Sequence, residues 1–393
     1  MKPLDGTTIL DLSRVLACPF ASMILAELGA RVIKVEQPGA GDETRAFEPQ
    51  LAKDSAYYFA CNRSKESIAV NLRSDDGRKI VRRLAEQADV VLENFPAGTL
   101  QRYGLDYAVL SAVNEKLVFV SCTGFGQSGP YAHKKGYDTV FQAMGGLMSL
   151  TGERGGGPVK PGLPVADLTS GLWIAIAILS ALAGRARTGK GCYVDFSMLD
   201  GQVALLTLAA ARYFALGEVP PRLGTEHPGR VPSATFRCRD GKYAHITASD
   251  QHWAPLCEAL ALEIGTDPIY STNESRVRHR DEVMHALTGA ISRLDRSELL
   301  AKLDAADVPV GPVNDVAEIL ADPHTRARGL VGSFDYPGVG EFRALGLPYK
   351  FLGWDNPEIG RPPLLGEHTE SVLGRLGFSS AEISRLKAAK AIG

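Results

Sequence analysis

The order of apolar runs constrains this chain more than any other feature. Thr8-Ile9-Leu10-Asp11-Leu12 reads as a short buried strand, and apolar residues then recur at helical spacing from Pro19 to Leu28. Pro19 suits a first helical turn and Gly29 a helix stop. Arg31-Val32-Ile33-Lys34-Val35-Glu36 reads as a second strand. Strand, helix and strand within about thirty residues make a βαβ unit, whose crossover is right-handed in almost every fold. The pattern recurs, with strands predicted over 65–72, 88–93 and 117–122 and an amphipathic helix over 75–87. Such alternation predicts the α/β class, a parallel sheet with helices on both faces. Long apolar helices are expected over 168–184 and 198–216. The texture changes at Pro220-Pro221-Arg222-Leu223-Gly224, which reads as a linker. Alternation from 235 to 246 around Asp240-Gly241 predicts a hairpin, and charged helices follow between 276 and 306. Residues 220–320 therefore read as a second, smaller α+β domain.

A βαβ start invites a dinucleotide-binding reading, with Glu36 placed to hold a ribose. The turn after the first strand, Leu12-Ser13-Arg14-Val15-Leu16-Ala17-Cys18-Pro19, lacks the glycines that let backbone approach a pyrophosphate. This argues against NAD. The formal net charge of −2 gives no electrostatic case for nucleic acid or an anionic membrane. The cysteines, Cys18, Cys61, Cys122, Cys192, Cys238 and Cys257, have spacings that suit neither zinc nor a disulfide framework, so a reducing cytoplasm is expected. Met1-Lys2-Pro3-Leu4-Asp5-Gly6 lacks the regions of a secretory leader. The longest apolar stretch, 172–182, is short for a bilayer span and reads as a buried helix.

Three groups of residues invite a chemical reading. Asp167, in Pro164-Val165-Ala166-Asp167-Leu168-Thr169-Ser170-Gly171, precedes an apolar run. It reads as a helix N-cap, or as a carboxylate kept ionised by the helix end and able to attack a reactive carbonyl. Spacing alone does not separate the two. Ser121-Cys122-Thr123-Gly124-Phe125-Gly126-Gln127-Ser128-Gly129 follows a predicted strand, where open α/β sheets bind ligands. It is either a flexible loop or a backbone-lined pocket edge. Lys65, Arg73, Asn94, Arg102 and Lys135 lie near strand ends. Singly they read as surface residues, and together as a cradle for phosphates. The loop histidines His227 and His368 receive no role.

Several segments resemble, in order along nearly the whole chain, the class III CoA-transferases (the CaiB/BaiF group). They are Pro3-Leu4-Asp5-Gly6, residues 28–36, the Gly39-Ala40-Gly41-Asp42 turn, Glu93-Asn94-Phe95, Gly124-Phe125-Gly126-Gln127, Gly136-Tyr137-Asp138, Ala166-Asp167, Thr188-Gly189-Lys190-Gly191 and residues 363–369. The resemblance implies a large Rossmann-like domain from 1–215 and 325–393, with the small domain at 220–320 inserted, and two chains interlocked as a homodimer. It places the catalytic aspartate on Asp167. It places CoA binding on Ala17, on Val70, Asn71, Leu72 and Arg73, on Asn94, Phe95 and Pro96, on Arg102, and on Lys135, Gly136, Tyr137 and Asp138. The implied partners are an acyl-CoA and a carboxylic acid; the CoA thioester is substrate, and no separate cofactor or metal is implied. Leu16 and Gln37 depart from formyl-CoA transferases, which carry glutamine and arginine there. Residues 224–232 look more like members acting on short dicarboxylates.

The chemistry so implied is thioester exchange. Asp167 would pass through a mixed anhydride and an aspartyl-CoA thioester. Oxyanion donors are expected from the Gly124–Gly126 loop, with Phe125 between them and Gln127 after, or from the helix that follows Asp167. Closure by the partner's small domain would exclude water. Two other readings stand beside it. An α-methylacyl-CoA racemase needs an acid–base pair, but Tyr137 stands where racemases carry histidine, and tyrosine is a poor base near neutrality. A non-catalytic CoA-binding protein would have no need of Asp167.

Overall fold

Six parallel strands carry the fold: β1 (Thr8–Asp11), β2 (Arg31–Glu36), β3 (Glu66–Ala69), β4 (Val90–Glu93), β5 (Val118–Thr123) and β6 (Cys192–Ser197). In the computed structural model, which describes all of Met1–Gly393, their order is β3-β2-β1-β4-β5-β6. This is the doubly wound order, with its reversal between β1 and β4. The register runs Ile9 to Val32 on one side and Ile9 to Val90 on the other. Alternate residues of each strand enter opposite cores. Leu10, Ile33, Val91 and Phe119 pack with Ile80, Val81 and Leu84 of α2 (Asp75–Ala85). Ile9, Val32, Val90 and Val118 pack with Met23 and Leu25 of α1 (Ala17–Glu27). The short helix α3 (Asp138–Met144) precedes α4 (Val165–Thr188), whose Ile174 and Ile178 complete the second core. Val372, Leu373 and Leu386, from α5 (Thr369–Arg375) and α6 (Ser380–Ala388), complete the first core. The C-terminal tail is therefore built into the sheet's cover.

The chain divides into two compact units. One comprises Met1–Leu147, Pro161–Ala211 and His324–Gly393, and the other Met148–Lys160 and Arg212–Pro323. The second unit therefore includes residues 148–160, which the sequence reading left in the larger domain, and it contains the expected linker. Hydrogen bonds explain this. The Arg222 guanidinium donates to the Gly156 carbonyl at 2.7 Å and to the Ser149 carbonyl at 3.2 Å, and Gly224 N–H donates to the Gly152 carbonyl at 2.9 Å. Within this unit β7 (Ser233–Arg237) and β8 (Tyr243–Thr247) form the hairpin expected around Asp240-Gly241, and β9 (Val310–Pro312) pairs antiparallel with β8. A fully buried Arg276 donates to the Val231 and Tyr270 carbonyls and to Asp250, over the Trp253 ring.

Three elements differ from the sequence reading. β6 was not foreseen, because its alternation is that of a half-exposed edge strand. The helix expected over 198–216 is two helices, Met198–Leu205 and Thr207–Leu216. Helix α4 begins at Val165 and has 24 residues, long and apolar enough by length and composition to cross a bilayer. It is not a wholly buried helix: Leu172, Trp173, Ile176 and Leu179 are exposed on it, Ile176 by 52%.

A buried charge network joins distant parts of the first unit. Arg45 donates to both oxygens of Glu36, at 2.8 and 2.7 Å, and to Asp54 at 2.6 Å. Its guanidinium lies 3.7 Å from the centre of the Tyr58 ring. Asp54 also accepts from Tyr336 of β10 (Val331–Tyr336), which pairs with β11 (Gly340–Leu345). The Glu36 carboxylate is further occupied by Ser67 Oγ and Asp42 N–H, so it is not a free ribose acceptor. Replacing one member of such a network leaves the others buried and unpaired. Arg45→Met is expected to destabilise the first unit by about 3–5 kcal/mol, read from the urea midpoint of its unfolding.

Candidate active site

A cleft of about 740 Å³ opens at the carboxyl ends of β1, β2, β3 and β4, where the strand order reverses. Open α/β sheets bind ligands there. Its lining includes Ser13 and Arg14 after β1, Asn71 and Arg73 after β3, and Phe95 and Pro96 after β4.

The turn after β1 lacks glycine, and side chains shape it instead. Asp11 Oδ1 accepts from Ser13 N–H and Oγ, while Oδ2 accepts from Ser22 Oγ and Lys65 Nζ. Burial alone would raise the Asp11 pKa, but Lys65 and Lys34 bring it down to about 2. Burial in turn lowers Lys65 to about 8, against the pull of Asp11. Asn94 crosses from the end of β4 and brackets Arg14, accepting from its N–H at 2.9 Å and donating to its carbonyl at 2.7 Å. Val15 follows with φ +69°. A β-branched residue rarely adopts that conformation, so the turn stores strain where the ligand cleft begins.

The second half of the site lies at the start of α4. Asp138 Oδ1 accepts from Ala166 N–H at 2.9 Å and from Asp167 N–H at 3.2 Å. Its Oδ2 accepts from Gln142 Nε2 at 2.6 Å. Asp138 is thus the cap of α4, and Asp167, in the helix's first turn, is not. The helix end does not hold Asp167 ionised, contrary to the expectation from sequence. Burial first, and then the neighbouring Asp138 charge, raise its pKa to about 7. The amides expected to serve as oxyanion donors at this helix end are already occupied by Asp138. Helix α4 crosses α1 one turn further on: a Cβ on Gly171 would meet the Ala17 carbonyl at 2.7 Å and Phe20 at 2.8 Å. That contact puts Asp167 one helical turn from the start of α1, whose Ala17 is three residues after Arg14.

Phe141, which the sequence reading passed over, organises the loops around Asp138. A Cβ on Gly124 or on Gly136 would stand 2.5 Å from its ring, so both loops close on it. Phe141 is buried and lies on α3, three residues after Asp138. In the Gly124–Gln127 loop the Gln127 N–H donates to Asp195, at 3.1 and 3.0 Å from its two carboxylate oxygens. The Gln127 amide of the loop is therefore already occupied.

The model of CoA-transferase family III matches residues 4–369. The chain belongs to that family. It is 40% identical to human succinyl-CoA:glutarate CoA-transferase over 95% of this chain and 86% of that one. It is 39% identical to succinate–glutarate CoA-transferase of Agrobacterium fabrum over 95% of this chain and 96% of that one. A solved CaiB/BaiF family protein from Brucella suis superposes with a TM-score of 0.86 at 42% identity, covering 95% of this chain and 99% of that one. The protein is an enzyme of the CoA-transferase class.

Against that family, the candidate CoA residues fall into two groups. Val70, Asn71, Leu72, Arg73, Phe95 and Pro96 line the cleft of this CoA-transferase. Ala17, Lys135, Gly136, Tyr137 and Asp138 do not: Asp138 bonds the start of α4, Gly136 closes on Phe141 with Gly124, Ala17 meets α4 at Gly171, and Lys135 and Tyr137 are exposed. Asn94 braces the cleft without lining it, and Arg102 bonds Thr99 at the surface. Arg14, Tyr103 and Lys390 line the cleft and were not foreseen. Arg14 carries a signal that was available, its place in the first βα turn; Lys390 lies too far along the chain for any local pattern to place it.

The raised pKa of Asp167 has a thermodynamic consequence. Between about pH 4 and pH 7 the folded transferase binds more protons at this group than the unfolded chain does, so stability falls as pH rises through that window. Asp167→Asn removes this dependence. From pH 5 to pH 8 the variant is expected to gain about 2 kcal/mol relative to the parent, once the carboxyl's contact with solvent is allowed for. Paired urea titrations at the two pH values measure it.

Proposed function

We propose that this CoA-transferase moves CoA from succinyl-CoA, or a similar donor, to a short dicarboxylate through covalent intermediates on Asp167. One observation carries the reading: a partly buried carboxylate with a pKa near neutrality lies in the first turn of a helix already capped by another carboxylate. Such a group is not needed to cap the helix. It is also a stronger nucleophile when ionised than an ordinary surface aspartate.

In the first step an Asp167 oxygen attacks the donor thioester carbonyl, the C–S bond breaks, and a mixed anhydride and CoA thiolate result. The thiolate attacks the aspartyl carbonyl and releases the donor as its carboxylate, leaving an aspartyl-CoA thioester. The acceptor carboxylate attacks that thioester, freeing thiolate and forming a second anhydride. The thiolate then attacks the acceptor's acyl carbon, and Asp167 leaves as a free carboxylate. An activated acyl bond, thioester or anhydride, persists at every stage, and no cofactor beyond the CoA thioester enters. Backbone amides of the Gly124–Gly126 loop are the donors this reading assigns to the oxyanions. Short dicarboxylates are favoured because the two named relatives act, by their names, on succinate and glutarate.

The same proposal includes a second copy of the chain. Leu172, Trp173, Ile176 and Leu179 of α4, with Val203, Leu205 and Leu208 beyond β6, are apolar and exposed in the single chain. Exposed apolar surface of this kind marks a protein interface. An interlocked homodimer, the arrangement expected from the family resemblance, would cover it, and sedimentation tests this directly. A reducing, cytoplasmic setting also belongs to the proposal, consistent with six free thiols.

With succinyl-CoA and glutarate the protein is expected to form glutaryl-CoA, and Asp167→Ala to lower the rate roughly ten-thousandfold while CoA still binds. Hydroxylamine added during turnover should convert Asp167 to the hydroxamate, found by peptide mass. Product accumulating with an unmodified Asp167 would overturn the mechanism. The rate should also rise with pH through about 7 as Asp167 ionises. Asp138→Asn, which keeps an acceptor for the helix amides but removes the charge, should move that limb to lower pH by up to about one unit.

A further inference from the structure

Lys390 occupies a backbone position that favours glycine. Helix α6 ends in a Schellman motif: Lys390 N–H donates to the Lys387 carbonyl at 2.9 Å, and Ala391 N–H to the Leu386 carbonyl at 3.0 Å. The residue between helix and tail then takes φ +53°, where an L side chain is disfavoured and glycine is the usual choice. The chain instead carries a long cationic side chain there, and that residue lines the cleft at the carboxyl ends of β1–β4. Its backbone is fixed to the cleft wall. Asn71 N–H donates to the Ala391 carbonyl at 2.9 Å, Asn71 Nδ2 to the Lys390 carbonyl at 3.4 Å, and Asn71 Oδ1 accepts from Arg73 N–H at 3.0 Å. One amide side chain therefore holds Lys390 and Arg73 side by side on the rim. Of the other two cations of the cleft, Arg14 is paired with Glu43 at 3.1 Å and Lys34 with Asp42 at 2.8 Å, whereas neither Lys390 nor Arg73 forms an ion pair with a carboxylate.

We infer that Lys390, with Arg73, binds the 3′-phosphate of the CoA substrate. The assignment rests on the proposal that CoA lies in this cleft, and it follows from the direction the molecule would take. The reactive sulfur belongs at Asp167, one helical turn before Gly171, which packs against the Ala17 carbonyl at the start of α1. β3, whose exit carries Asn71 and Arg73, is the edge strand on the far side of β1 and β2. A CoA extended across the strand ends therefore brings its nucleotide end, and with it the dianionic 3′-phosphate, to the two unpaired cations. A phosphate between an ammonium and a guanidinium is a strong charge-assisted arrangement.

The test compares CoA with dephospho-CoA, which lacks only that phosphate, by calorimetric titration of the full chain. The parent is expected to bind CoA more tightly than dephospho-CoA. Lys390→Gly should weaken CoA about tenfold, leave dephospho-CoA unchanged, and melt no lower than the parent, because glycine suits the backbone there. Lys390→Arg should keep the preference for CoA. Equal weakening of both ligands, or no change in either, would overturn the assignment of Lys390 and leave CoA binding in the cleft intact. A parent that binds neither ligand would instead overturn the placement of CoA itself.

Discussion

The site depends on one carboxylate satisfying the amides at the start of α4. A helix begins with N–H groups that have no partner within it, and a buried start needs an acceptor from elsewhere. Asp138 supplies it from α3, 28 residues earlier than Ala166, and is itself held by Gln142. Two results follow from this single contact. The loop carrying Asp138 is tied to the helix carrying Asp167, and the positive end of the helix is neutralised by a charge other than that of Asp167, the proposed nucleophile. Asp167 is left with burial and a like charge as its main influences, and both raise its pKa. A carboxylate used as cap would have been made more acidic and less nucleophilic by the same helix. Dividing the two roles between two aspartates resolves a conflict that one residue could not.

The cleft meets a comparable conflict by another route. Dinucleotide-binding folds bring backbone close to phosphate with glycines in the first βα turn. Here Asp11, Lys65, Lys34 and Asn94 hold that turn from beneath and from the side, and Val15 takes the strained backbone angle. Side-chain bracing of this kind is rigid but needs buried charge. Lys34 and Lys65 are both fully buried, and each is stabilised by carboxylates placed within the same network. Such networks contribute more to a unique geometry than to stability, since their desolvation offsets much of their attraction.

Much of the scaffold was legible because it is written in periodicity. β1 and β4 are short, mainly apolar runs, β2 keeps Val32, Ile33 and Val35 between its charged residues, and α2 shows its buried stripe through Ile80, Val81 and Leu84. β6 escaped because Tyr193 and Asp195 face outward at a sheet edge and dilute the run. Asp167 was recognisable as a helix-start carboxylate, but its environment was not, because the deciding neighbour is Asp138, and no spacing rule links positions 138 and 167. The same holds for Phe141, which looks like any core aromatic until Gly124 and Gly136 are seen against its ring. Local pattern determines elements; contacts between elements determine pKa values and loop shapes.

The net charge illustrates the same limit from another side. A value of −2 says only that no large field surrounds the protein. What a phosphate meets is set by which cations lack partners. Arg45, Arg63 and Lys65 are consumed by buried carboxylates, and Arg14 by a surface one. Among the cations that line the cleft, Lys34 is also paired, with Asp42, and only Arg73 and Lys390 have no carboxylate partner. A nearly neutral chain can therefore present local positive charge where the neighbouring cations of the same cleft are neutralised within the fold. The C-terminal tail has a part in this that its position in the sequence conceals. By packing α5 and α6 onto the sheet through Val372, Leu373 and Leu386, the same apolar contacts that close the core also carry Lys390 to the cleft wall.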